Sequence, residues 1–91
     1  NIGTSVISLV PTASYTSAFF DYTVNDGTNY RAGTVTSVWL GTMAQFTDVS
    51  TTDIGNTAGV VMAVDVVGAN ARLKATVASN NWVIKTLVRA L

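Results

Sequence analysis

A chain of 91 residues is the size of one domain, and burying roughly 60–65% of its unfolded surface leaves little stability in reserve. Cysteine, histidine and glutamate are all absent, which excludes disulfides, thiolate metal sites, a cysteine nucleophile and the commonest general base. Formal net charge is zero with 11% charged and 48% hydrophobic residues, a balance that gives no electrostatic footprint for nucleic acid or an anionic membrane.

β-Branched and aromatic residues dominate, and turn residues break them at short intervals, so strands are expected throughout. The first is expected from Thr4 to Val10, stopped by Pro11. The second, Tyr15 to Val24, places Ala18, Phe20, Tyr22 and Val24 on one face and Ser17, Phe19, Asp21 and Thr23 on the other. Asn25-Asp26-Gly27 then signals a hairpin turn, because Gly accepts positive φ at no steric cost. A third strand from Asn29 to Leu40 sets Val35 and Trp39 with Gly33 on one side and Tyr30, Ala32, Val38 and Leu40 on the other. Gly33 inside that run marks a bulge or a close backbone approach.

Gly41-Thr42 turns the chain into a fourth strand, Met43 to Val49, with Ala44 and Phe46 facing together. Ser50 to Gly59 is the one clear loop. Val60 to Val67 forms a nearly continuous apolar strand with Asp65 as its only charge, and Gly68-Ala69-Asn70 makes a short hairpin into Ala71 to Ala78. There Arg72, Lys74 and Thr76 alternate with Leu73, Ala75 and Val77, as in a half-buried strand. After Ser79-Asn80-Asn81, the segment Trp82 to Leu91 runs to the end of the sequence as a last strand. Trp82, Ile84, Thr86, Val88 and Ala90 form an uncharged face suited to a core. Val83, Lys85, Leu87, Arg89 and Leu91 form a mixed face, too apolar for plain solvent and too charged for a core. That face is expected to meet a neighbouring subunit, with Lys85 and Arg89 paired to carboxylates such as Asp21, Asp48 or Asp65.

About seven short strands and no capped helix-period segment imply an all-β fold, an antiparallel β-sandwich of jelly-roll-like kind in a single domain over residues 1–91. No apolar run approaches the roughly 20 residues that span a bilayer, so membrane insertion is not expected. The first residue is Asn rather than Met, which suggests a piece of a longer protein. Surfaces are commonly about 25–35% charged, so 11% calls either for a Thr/Ser/Asn-coated β surface or for an oligomer that buries apolar area.

Catalytic chemistry finds little support. Asp26 and Asp53 sit where turns need local backbone acceptors, and Lys74 and Lys85 lie on strands with no nucleophile motif nearby. An enzyme, a cofactor and nucleic-acid binding are not expected. The segment Asp48 to Asn56 offers oxygen ligands of the kind calcium takes but lacks EF-hand spacing, so an ordinary loop is the expectation. Phe20, Trp39, Phe46 and Trp82 read as core. Tyr15, Phe19 and Tyr30 are candidates for an exposed receptor or glycan contact.

The run Gly27-Thr28-Asn29-Tyr30-Arg31-Ala32-Gly33-Thr34-Val35 with Val38-Trp39 resembles small C-terminal domains of bacteriophage tail-fibre and other virion structural proteins. So do Phe46-Thr47, Ser50-Thr51-Thr52-Asp53-Ile54-Gly55-Asn56-Thr57, Ala71-Arg72-Leu73-Lys74-Ala75 and Trp82 to Leu91, and together these runs cover about residues 15–91. The resemblance implies a non-enzymatic tip domain of a virion protein, extracellular when it functions. Such domains are usually homotrimers that bind a host-surface polysaccharide or outer-membrane protein, so the chain is expected to partner with itself and with such a receptor. The alternatives are a non-catalytic carbohydrate-binding module of a larger enzyme, or a purely structural capsid decoration or trimerisation domain.

Overall fold

Successive side chains of a strand point to opposite faces, and this period of two organises nearly the whole chain. The computed structural model describes residues 2–91 and forms β1 (Gly3–Pro11), β2 (Ser17–Asn25), β3 (Tyr30–Leu40), β4 (Met43–Ser50), β5 (Val60–Val67), β6 (Asn70–Val77) and β7 (Val83–Ala90). The predicted bounds lie within a residue or two of these. All pairings are antiparallel, in one sheet ordered β1-β6-β5 and another ordered β4-β3-β2-β7. The two sheets make a sandwich of one domain. β2, β3 and β4 follow one another as a meander, and the chain crosses between the sheets after β1, β4 and β6.

Turn chemistry fixes the register of the meander. The Asp26 carboxylate accepts from the backbone N–H of Thr28 at 3.0 Å and of Asn29 at 2.7 Å, and from Asn29 Nδ2 at 2.9 Å. Gly27 supplies a φ of 94° in that turn, where a side chain would be strained. With the turn set, Asn25 faces Tyr30 and the pairing runs without interruption to Ser17 opposite Val38.

The core is built from the faces that alternation selects. Ala18, Phe20, Tyr22 and Val24 of β2 are buried with Val35 and Trp39 of β3, and Val60, Met62, Val64, Ala71, Leu73 and Ala75 close over them from the second sheet. Trp82 is buried as well, its Nε1 donating to Ser79 Oγ at 3.0 Å. Ser37 is buried in the same layer and donates to Ala18 O at 3.0 Å, which satisfies its hydroxyl.

Phe46 departs from the expectation. It shares a face with Ala44 and Asp48 and points to the interior side of the sandwich, yet it is 41% exposed. β4 is the edge strand of its sheet, flanked by β3 on one side only, and β5 of the second sheet packs against it. Alternation correctly gives Phe46 a face, but at the edge of the sheet part of the ring stays open.

Candidate functional site: the outer face of the four-stranded sheet

Rows of facing residues run across the outer face from β7 to β4. One row is Leu87, Asp21, Thr34 and Val49, and the next toward the chain end is Arg89, Phe19, Thr36 and Thr47. These rows bring together side chains far apart in sequence. Arg89 donates from Nε and Nη2 to the two oxygens of Asp21, each at 3.2 Å, while Thr34 Oγ1 donates to Asp21 at 2.7 Å. The Arg89 guanidinium also lies 5.2 Å from the centre of the Phe19 ring, a cation–π distance. The Thr34 hydrogen bond first and Arg89 second hold the Asp21 carboxyl below the ordinary carboxylate range.

Small residues in the middle strands leave a shallow trough along this face. Thr23, Ala32 and Thr34 floor it, Leu87 and Val49 flank it, and its volume is about 800 Å³. Leu87 and Val49 are 65% and 66% exposed, and Val38, Leu40, Met43, Val83 and Leu91 add further exposed apolar surface to the same side of the molecule. The opposite face differs in kind. There Asp65 takes Arg72 at 2.8 and 2.9 Å and Lys74 at 2.9 Å, with Arg72 the main cause of an Asp65 pKa well below the carboxylate range.

All five residues expected at a subunit interface, Val83, Lys85, Leu87, Arg89 and Leu91, are exposed on β7 or directly after it. Arg89 has Asp21 as its partner within the chain. Asp65 is taken by Arg72 and Lys74 instead. Among the described residues Lys85 makes no ion pair, and Asp48 makes none either. The Asp48 carboxylate accepts instead from the neutral Tyr22 hydroxyl, at 2.8 and 3.0 Å.

The three candidate contact aromatics are spread over the molecule. Tyr15 lies in the β1–β2 connection, where its carbonyl accepts from Trp39 Nε1 at 2.9 Å. Phe19 sits half-buried in mid-sheet under Arg89. Tyr30 stands at the start of β3, its hydroxyl donating to Gly27 O at 3.3 Å. Phe19 faces Thr36 and Tyr30 faces Asn25, so the two are separated by six positions of strand, about 20 Å. They do not form one stacking platform.

A second polar cluster holds the Ser50–Gly59 segment. Arg31 reaches from the core side of β3 to Thr57 O at 3.2 Å, Thr57 Oγ1 at 3.1 Å and Val60 O at 3.0 Å. Thr57 in turn donates to both oxygens of Asp53, from Oγ1 at 2.5 Å and from its backbone N–H at 3.0 Å. The carboxylates of the would-be calcium loop therefore already have partners: Asp53 in Thr57, Asp48 in Tyr22. Among the described residues no group of three acidic, His or Cys side chains is placed to hold a metal ion. Sequence reasoning missed the role of Arg31, although its signal is present. It stands at the parity of Gly33, Val35 and Trp39, a lone charge among core-facing positions.

No protein-family model matches this chain, and no curated protein or solved structure matches it.

Proposed function

We propose that this chain is a non-catalytic assembly and attachment domain of a virion, of the kind found at the tip of a bacteriophage tail fibre, working as a homotrimer. One observation carries the reading: the outer face of the four-stranded sheet exposes many large apolar side chains, among them Val38, Leu40, Met43, Val49, Val83 and Leu87. Its charges are few: Asp21 pairs with Arg89, and Lys85 makes no ion pair among the described residues. Exposed apolar side chains gathered on one sheet face mark an interaction surface. With 11% charged residues the chain also has few charges to keep a monomer in solution.

In this reading the domain has no reaction to perform. Its mechanism is multivalent binding, in which several weak contacts on one rigid symmetric particle add up to high avidity for a host-surface polysaccharide or outer-membrane protein. Jelly-roll-like wrapping and three-fold assembly belong to the proposal. The crossings after β1, β4 and β6 support the wrapping, and the β2-β3-β4 meander departs from strict alternation between sheets.

Two measurements test the reading in sequence. Sedimentation velocity at ten to a hundred micromolar chain is expected to give a trimer. The trimer is then expected to bind whole bacteria or their extracted surface polysaccharide more tightly than a dissociated variant does. A stable monomer removes the proposal, and a trimer that binds neither leaves only the purely structural role.

A further inference from the structure

Resting on that assembly reading, we infer how the copies meet: the outer face of β7 in one copy packs on the exposed Phe46–Asp48 stretch of the β4 edge in the next, with Lys85 against Asp48 and Leu87 against Phe46. The starting point is charge. Of the cations on the two sheet surfaces, Arg72 and Lys74 share Asp65 and Arg89 holds Asp21, which leaves Lys85 without an ion pair among the described residues. Asp48 is exposed, and the group that donates to it is a neutral hydroxyl.

These two groups cannot meet within one chain. β7 and β4 are the opposite edges of a four-stranded sheet, three strand spacings or about 14 Å apart. Lys85 also stands on the outer face, whereas Asp48 stands on the core-side face opposite Val35. A second copy brings them together.

The apolar neighbours match in the same register. Leu87 follows Lys85 by two residues on one strand face, and Phe46 precedes Asp48 by two on another, so each ridge presents a charge and an apolar group at the same spacing. Leu87 is 65% exposed and Phe46 41%. Phe46 is the aromatic that strand alternation assigns to a core and the edge position leaves partly open, and Leu87 stands exposed on the outer face. Tyr22 helps by fixing the Asp48 carboxylate, its one hydroxyl proton shared between the two carboxylate oxygens, without neutralising it.

The two surfaces lie on different strands of one molecule, so each copy offers one of each. Contacts of this type form twice in a two-fold dimer or once at each junction of a closed ring, and the trimer proposed above corresponds to the ring.

The test uses the unaltered protein first. Equal amounts of ¹⁴N and ¹⁵N chain are mixed and treated with a carbodiimide, which joins a carboxylate directly to an amine. The expected product is a cross-linked peptide pair containing Asp48 and Lys85, with half of the pairs carrying mixed isotopes. Charge reversal follows: K85E and D48K are each expected to weaken association by about tenfold or more. The double variant K85E/D48K is expected to restore it, because the exchanged charges again meet with opposite sign at every such contact. V61D on the opposite sheet should associate like the wild type. Since D48K also disturbs Tyr22, D48N is measured beside it. That change removes the charge, keeps an acceptor for the Tyr22 hydroxyl and is expected to weaken association as K85E does, with folding checked by near-UV circular dichroism. An oligomer whose cross-links map elsewhere and which is indifferent to K85E overturns this interface while leaving the assembly reading intact. A monomeric wild type overturns the assembly reading itself.

Discussion

Gly33 and Tyr22 face each other across β2 and β3, and neither is replaceable without a definite cost. A Cβ at position 33 would lie 2.7 Å from Val49 O, 2.9 Å from Ser50 Cβ and 2.9 Å from the Tyr22 hydroxyl oxygen. Two of these neighbours belong to the strand framework and cannot swing aside. Gly33→Ala is therefore expected to lower stability by about 1–3 kcal/mol, read as a lower urea midpoint at unchanged slope. The pKa of the Tyr22 hydroxyl is pushed up to about 12, by burial first and by its bond to Asp48 second. The sign follows from a folded pKa above the unfolded one: the protonated phenol stabilises the fold fully below about pH 10, and that contribution is lost as pH rises toward about 12. Absorbance at 295 nm should show one tyrosine ionising near pH 12, and that phase should vanish in Tyr22→Phe. A wild type without the late phase would mean that the Tyr22–Asp48 contact does not form in solution.

Among the elements, the Ser50–Gly59 segment owes its shape to side chains from β3 and the turn before it. Its backbone pairing is slight: the Thr51 N–H donates to Ala32 O at 2.8 Å, and an isolated bridge joins Ile54 to Tyr30. Arg31 fastens it through Thr57 and Val60, and Asn29 fastens it again by accepting the Asn56 N–H at 2.8 Å. Arg31→Met keeps the stem packed beside Tyr22 but removes three donated hydrogen bonds, leaving the buried Thr57 with fewer partners. The expected loss is about 2–4 kcal/mol, with faster proteolytic cleavage between residues 50 and 59 than in the wild type. A variant cleaved at the wild-type rate would show that the loop holds itself. The strands were legible in the sequence because alternation and turn residues are local signals, and β7 illustrates this: both of its faces read correctly from residue parity alone. The partners of its charges were not legible. Arg89 meets Asp21 because β7 lies beside β2, and the two residues stand 68 positions apart, a pairing that only the sheet order reveals.

At the scale of the whole molecule, Asp21, Asp26, Asp53 and Asp65 are all held below the ordinary carboxylate pKa by hydrogen bonds or cations that exist only in the fold. Depressed folded values mean stability that is present above the unfolded pKa, about 3.9, and lost as pH falls through the folded values. Urea midpoints are thus expected to stay level between about pH 7 and 5 and to fall steeply below about pH 4. A midpoint unchanged at about pH 2.5 would contradict these carboxylate contacts. The acids also occupy distinct places: Asp21 and Asp65 each pair with cations on one sheet face, Asp26 and Asp53 shape loops, and Asp48 stands exposed on the edge strand β4. The sequence by itself determined an all-β sandwich in one domain, its strands, and which face of each strand is apolar, because these depend on neighbours two to four residues apart. Only the tertiary structure decided that β4 and β7 are the opposite edges of one sheet, and so that Phe46 lies partly open on an edge strand and that Lys85 and Asp48, among the described residues, stand without ion pairs. Those outcomes depend on strand order, and strand order is set by contacts between segments that no local pattern records.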